Sequence, residues 1–189
     1  NGLRIDNATV GPYGLLASNR TRAMEPSLYP STAFNVSPGP AAMLRFTSVP
    51  STVTAGTPFS ATVRLTDGYN NPLSTGPGSG DTYRLEAGTP FGGTPQPTAT
   101  AVNGVATFTN LTLTAAGSWS LLAFSVEAPS LVPLPSPITV NADVPAALRF
   151  LNPSANGPMS NTANIGSITV QLRDRFGNRV ELRYGAKNL

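Results

Sequence analysis

The chain has 189 residues, enough for one or two domains, with a formal net charge of +3 and only 11% charged residues. It contains no cysteine and no histidine. That excludes a disulfide framework and thiol chemistry, and it removes the commonest general base and metal ligand. Its 18 glycines and 19 prolines stand against 40% apolar content, which argues for short packed strands between turns rather than for a disordered chain.

No apolar run reaches the ~18 residues of a membrane span. Residue 1 is Asn, so the expectation is that an export signal has been removed or that this is a piece of a longer chain. The basic excess lies in the last quarter, at Arg149, Arg173, Arg175, Arg179, Arg183 and Lys187. These stand at alternate strand positions and in turns, without aromatic interleaving. They read as solvated faces rather than a nucleic-acid site, or as a basic half that meets a more acidic neighbour.

In chain order, the first recognisable unit is Gly11-Pro12-Tyr13-Gly14-Leu15-Leu16-Ala17, followed by Phe34 and Val36 and the linker Pro38-Gly39-Pro40. Leu44-Arg45-Phe46 opens a second stretch. Over 59–66 the pattern alternates cleanly: Phe59, Ala61, Val63 and Leu65 on one face, Ser60, Thr62, Arg64 and Thr66 on the other, as in a half-buried antiparallel strand. Asp67-Gly68-Tyr69-Asn70-Asn71-Pro72 supplies the turn.

Ala106 and Phe108 are in phase while Leu111 and Leu113 are one residue out, which predicts a bulge near Thr109-Asn110. Residues 118–126 are apolar on both faces and read as a central strand. The Pro-rich stretch 128–137 reads as a loop or sheet edge, and Ile138 with Val140 as the last strand. Ile168, Val170 and Leu172 alternate with Thr169, Gln171 and Arg173, and Asp174-Arg175-Phe176-Gly177-Asn178 repeats the earlier turn. No segment has helical periodicity, so the pattern is that of a sandwich.

The chain repeats itself with a period of about 102–104 residues. Gly117-Ser118-Trp119-Ser120-Leu121-Leu122-Ala123 matches 11–17, with Tyr13 in the place of Trp119, and both follow an Asn-Gly pair, Asn1-Gly2 and Asn103-Gly104. Ala146-Ala147-Leu148-Arg149-Phe150 matches Ala41-Ala42-Met43-Leu44-Arg45-Phe46.

The central block resembles the bacterial Ig-like repeats of the invasin and intimin type. The residues that carry this are Leu44-Arg45-Phe46 with Pro50, Thr54-Ala55-Gly56, Val63-Arg64-Leu65-Thr66-Asp67, Ala101 to Phe108, and Ala116-Gly117 before Trp119. The likeness extends over 146–180 as a front half, including Gly177-Asn178 where the middle copy has Asn70-Asn71, and more weakly over 1–36 as a back half.

The expected fold class is therefore all-β: tandem Ig-like β-sandwiches, one complete domain over 41–143 and two complementary half-domains. Residues 1–40 would be the C-terminal half of a domain and 144–189 the N-terminal half. The resemblance implies an extracellular or cell-surface spacer, adhesin stalk or polymerising module, with no catalytic residues to carry over.

Half a β-domain cannot bury its core alone. Short linkers stiffened by proline would hold the two halves at opposite ends of a domain ~35–45 Å long, out of each other's reach. A head-to-tail contact between copies would satisfy both and propagate as a homopolymer. The expected interface residues are Leu3, Ile5, Tyr13, Leu15, Phe34 and Val36 from one chain. Leu148, Phe150, Ile168, Val170, Leu172 and Val180 come from the next. The preferred function is thus a structural subunit of an extracellular filament that shares β-strands. The alternative is a segment of a long covalent adhesin stalk, and a carbohydrate-binding module on a secreted enzyme is a third reading. A host or surface ligand stays open as a further partner.

No nucleophile–base pair, paired-carboxylate cleft or phosphate loop is present, so the expectation is of no enzyme, no catalytic residue and no cofactor. Asp67 and Asp174 supply too few oxygens for calcium and read as turn caps, which leaves no metal site. Asp143, in the linker, is weak for the same reason. The one lysine, Lys187, excludes a Lys–Asn isopeptide bond within the middle domain. Trp119 reads as core. Asn7, Asn19, Asn35 and Asn110 begin glycosylation sequons that are not in excess of what this composition produces by chance.

Overall fold

Alternating apolar residues and turn-formers make strands here, and the described residues contain no helix. The structure is a computed structural model that describes residues 3–9, 11–17, 29–92, 96–151 and 169–181. The strands are β1 (Leu16–Ala17), β2 (Tyr29–Pro30), β3 (Ala41–Ser48), β4 (Thr52–Thr54), β5 (Phe59–Asp67), β6 (Thr82–Ala87), β7 (Thr98–Thr100), β8 (Val105–Leu111), β9 (Gly117–Ser125), β10 (Val132–Pro133), β11 (Ser136–Asn141), β12 (Ala147–Phe150) and β13 (Val170–Arg173).

Nine of these form an Ig-like sandwich. One sheet runs β10-β3-β5-β8 and the facing sheet β4-β11-β9-β6-β7. The first and last strands of the sandwich are each split between the sheets. β3 and β10 edge one, in parallel, while β4 and β11 pair in parallel in the other. The short β10, bearing Pro133, lies at the edge, where a missing N–H costs no ladder bond. β9 is central in its sheet, which accounts for its apolar residues on both faces.

The core is the inward alternation of both sheets. Leu44, Val63 and Leu65 from one, and Leu85, Leu121 and Ala123 from the other, are fully buried. The bulge falls where expected. Phe59 pairs with Leu111 but Ala61 with Phe108, and Asn110 takes φ 56°, so Leu111 returns to the inward face. Asn103-Gly104 forms the turn before β8 with φ positive at both residues. A side chain at Gly104 would collide with the carbonyl of Leu73. One expectation fails. Thr66, in phase with the outer face, is buried, because the chain doubles back after Asp67 and Pro72 bridges to it.

Two short ribbons flank the sandwich, β1–β2 before it and β12–β13 after it. Tyr13 bridges to Phe34 beside β1–β2, their rings 6.1 Å apart.

Candidate interdomain junctions

The turn after β5 holds the ribbon before it. Asp67 is buried, and its carboxylate accepts four hydrogen bonds. Two come from within the turn, from the N–H groups of Tyr69 (2.9 Å) and Asn71 (2.8 Å). The third comes from the Asn71 carboxamide (2.8 Å) and the fourth from the N–H of Gly39 in the linker (2.8 Å). The same carboxamide reaches across the joint. Asn71 Nδ2 donates to the Asp6 carbonyl (2.8 Å), and its Oδ1 accepts the N–H of Ala8 (2.7 Å).

The turn after β13 does the same to the sandwich. Asp174 accepts from the N–H groups of Phe176 (2.9 Å), Asn178 (2.8 Å) and the linker residue Asp143 (2.9 Å), and from the Asn178 carboxamide (2.7 Å). Asn178 Nδ2 donates to the Thr114 carbonyl (2.7 Å) and Oδ1 accepts the Ala116 N–H (2.8 Å). Each Asp also closes its own turn, accepting from Asn70 or Gly177 with its main-chain carbonyl.

Burial alone pushes both carboxyl groups up. The Asn carboxamide and the main-chain donors more than offset it, so Asp67 and Asp174 titrate below the usual carboxylate range. Both clamps therefore work in the ionised form.

An aromatic residue accompanies each clamp. Tyr69 lies under the Arg4 guanidinium, 4.4 Å from its ring centre. Phe176 lies on Gly56, whose φ of 77° and missing side chain leave room for the ring. Arg175 pairs with Asp143 at 3.1 Å across the second linker.

The expected interface residues divide by flank. Leu3, Leu15, Leu148, Phe150 and Val170 are exposed, while Ile5, Tyr13, Phe34, Val36, Leu172 and Val180 are half-buried. Ile168 lies outside the described residues. Tyr13 meets Phe34, Leu148 pairs with Leu172 and Phe150 with Val170. Among the described residues no strand pairing joins one flank to the other.

The hydrogen bonds also revise one sequence equivalence. Asp6 and Ala8 stand where Thr114 and Ala116 stand, which sets Leu3 and Ile5 opposite Leu111 and Leu113. Gly104 lies ten residues before Thr114, whereas Gly2 lies four before Asp6. The match of Asn1-Gly2 with Asn103-Gly104 does not fit that spacing. The match of Tyr13 with Trp119 departs from it by two residues, but it is chemical. The Tyr13 hydroxyl donates to the Asn7 carbonyl, and the Trp119 indole N–H donates to the carbonyl of Ala115 (2.9 Å). The clamping role of Asn71 and Asn178 was not read from the sequence. Its signal there is the recurrence of Asp-x-x-x-Asn after both matched strands.

No protein-family model and no curated protein sequence matches the chain. Solved structures with a similar fold include the Escherichia coli adhesin FdeC, at 14% identity and a TM-score of 0.39, with 88% of this chain and 52% of that chain covered. Domains 4–9 of the surface layer protein SbsC match at 16% identity and a TM-score of 0.37, over 90% of this chain and 25% of that one. A β-glycosidase from Bacteroides vulgatus matches at 13% identity and a TM-score of 0.43, over 67% of this chain and 21% of that one. The chain thus spans about a fifth of that glycosidase. At these identities and TM-scores, the functional reading rests on the chain's own geometry.

Proposed function

We propose that this chain is a structural segment of an extracellular or cell-surface protein in which Ig-like units are clamped end to end into a rod. In this reading residues 1–40 and 144–189 are halves of further units. One observation carries it: β12–β13 repeats β3–β5 in register, yet its inward face is exposed. Leu148 pairs with Leu172 and Phe150 with Val170, as Leu44 does with Leu65 and Phe46 with Val63. Leu44 and Leu65 are 0% exposed, Leu148 65% and Phe150 58%. An apolar sheet face of this kind needs a covering layer.

In the filament form, a second copy supplies that layer head to tail. Supporting it, the N-terminal flank carries counterparts of β9 and β11, with Tyr13 opposite Phe34 as Trp119 is opposite Ile138. The rival form is a covalent stalk, whose next unit comes from the same polypeptide.

The test is the mass of the native material, shaved from or shed by intact source cells, under denaturing and non-denaturing conditions. A chain near 19.5 kDa that runs as long polymers until denatured supports the filament. A denatured chain many times heavier supports the stalk. A monomer of 19.5 kDa under both conditions overturns both.

A further inference from the structure

We infer that the Asp-x-x-x-Asn turn is a generic coupler, which reads only the main chain of the unit before it and so builds the same joint whatever that unit's side chains are. The inference rests on the tandem reading above. Every hydrogen-bonded group the turn captures across a joint is main chain: Gly39 N–H, Asp6 C=O and Ala8 N–H at the first, Asp143 N–H, Thr114 C=O and Ala116 N–H at the second. The side chains at those positions differ. Gly39 faces Asp143 in the comparison, Asp6 faces Thr114, and Asn7 faces Ala115, while Asp and Asn recur on the capturing side.

The chemistry explains the division. A carboxamide offers one acceptor and a pair of donors, and here it meets a C=O and an N–H two residues apart on a loop outside the strands. Both partners are main-chain groups, which every non-proline residue presents irrespective of its side chain. The carboxylate adds a third contact at the linker, and it is a charge-assisted one. Three contacts at separate points leave a docked unit no free rotation. Since the same three are made at both joints, at 2.7 to 2.9 Å, successive units are related by one repeated rotation and rise. The coupler therefore accepts as its upstream neighbour any unit that offers this loop. The aromatic beside it, on Arg4 in one case and on Gly56 in the other, and the Arg175–Asp143 ion pair, which Gly39 cannot make at the first joint, are the parts that vary with the neighbour.

The experiment uses the full chain. It has no native cysteine, so Thr107→Cys on β8 and Arg149→Cys on β12, both exposed, take spin labels on either side of the second joint. The parent should give a single narrow distance by pulsed electron resonance. Thr114→Asp combined with Ala115→Asn, which writes the first joint's loop into the second, should leave that distance unchanged. Asn178→Ala should lose it. Ala116→Pro separates joint from fold, because it removes the captured N–H from the upstream side and leaves the 174–178 turn intact. Loss of the narrow distance in Ala116→Pro, with retention in the loop swap, is the expected result. A loop swap that broadens the distance, or an Ala116→Pro variant that keeps it, overturns the inference.

Discussion

β3–β5 in the sandwich and β12–β13 in the ribbon are built from one plan. Leu44–Leu65 and Leu148–Leu172 are paired at the same step, Arg45–Arg64 and Arg149–Gln171 at the next, and Phe46–Val63 and Phe150–Val170 after that. The turns match too: Leu73 N–H returns to the Leu65 carbonyl and Val180 N–H to that of Leu172, each at 3.0 Å. Only the environment differs. Leu65 is sealed by a second sheet, while in the ribbon Leu148, Phe150 and Val170 face solvent and Leu172 is half-buried. Register is thus a local property, fixed by alternation and turn chemistry. Burial belongs to the layer opposite. A two-stranded ribbon is marginal at best by itself, so the Asp174–Asn178 clamp on the sandwich is what orders β13 in a single chain.

The sharpest way to break the comparison is to empty the same place twice. Leu65→Ala should cost about 2–5 kcal/mol of sandwich stability, because a fully buried side chain leaves a cavity. Leu172→Ala in the lone chain should cost less, about 0.5–1 kcal/mol, because Leu172 is only half-buried. Urea unfolding of the two variants measures both. In assembled material the Leu172→Ala effect should rise toward that of Leu65→Ala. Equal costs in the lone chain would mean that the ribbon face is already covered.

The clamps come next. Asp67→Ala and Asp174→Ala each leave main-chain and carboxamide donors without an acceptor, which costs about 1–3 kcal/mol of joint stability. Protonation acts through the same groups. Their folded-state titration is depressed, so the stabilisation is fully present above the ordinary carboxylate range, near ~3.9. It is lost as pH falls through the lower folded value. Both joints should loosen together in acid, as scattering curves that change from an extended to a flexible form below that range. Joints that stay rigid through the acid range would show that the carboxylates are not what holds them.

Much of this fold was legible beforehand, and the reason is periodicity. The 59–66 alternation, the Asn110 bulge, the central β9 and the edge at Val132–Pro133 follow from side-chain pattern and proline chemistry. Thr66 was misassigned because its burial comes from a turn folding back, which no strand pattern contains. The clamps were half legible. Asp67 and Asp174 read as turn caps, and they are. What the sequence hides is that Asn71 and Asn178 spend their carboxamides on main-chain groups 62 to 65 residues away. Backbone partners leave no residue signature, so only the recurrence of Asp-x-x-x-Asn could have raised the suspicion.

The aromatic contact should matter less than the clamp. Gly56→Ala forces a side chain into a left-handed turn, at about 1–2 kcal/mol, and also into the space of the Phe176 ring. Adding Phe176→Ala should restore the seating of the ribbon and leave the backbone cost. Thermal melts report the backbone part, and the spin-label distance across the joint reports the seating. If the second substitution recovers nothing in that distance, the ring is not seated on Gly56.

The smallest effect separates the first ribbon from its counterpart in the sandwich. Tyr13 and Trp119 tie the same loop to the strand that follows it, one with a hydroxyl on Asn7 and one with an indole N–H on Ala115. The two chemistries differ in reach, and the chain compensates: four residues separate Ala8 from Tyr13, and two separate Ala116 from Trp119. Tyr13→Phe removes only the hydrogen bond and should cost about 0.5–1.5 kcal/mol locally. The loss should appear as faster amide exchange at Ala8, while the sandwich melts unchanged. Trp119→Phe removes the equivalent bond together with part of a ring packed on the core, so it should lower the sandwich melting temperature itself. If Tyr13→Phe also lowered that melt, the first ribbon would be part of the same cooperative unit as the sandwich, and the contrast between covered and uncovered strands would hold only at the C-terminal joint.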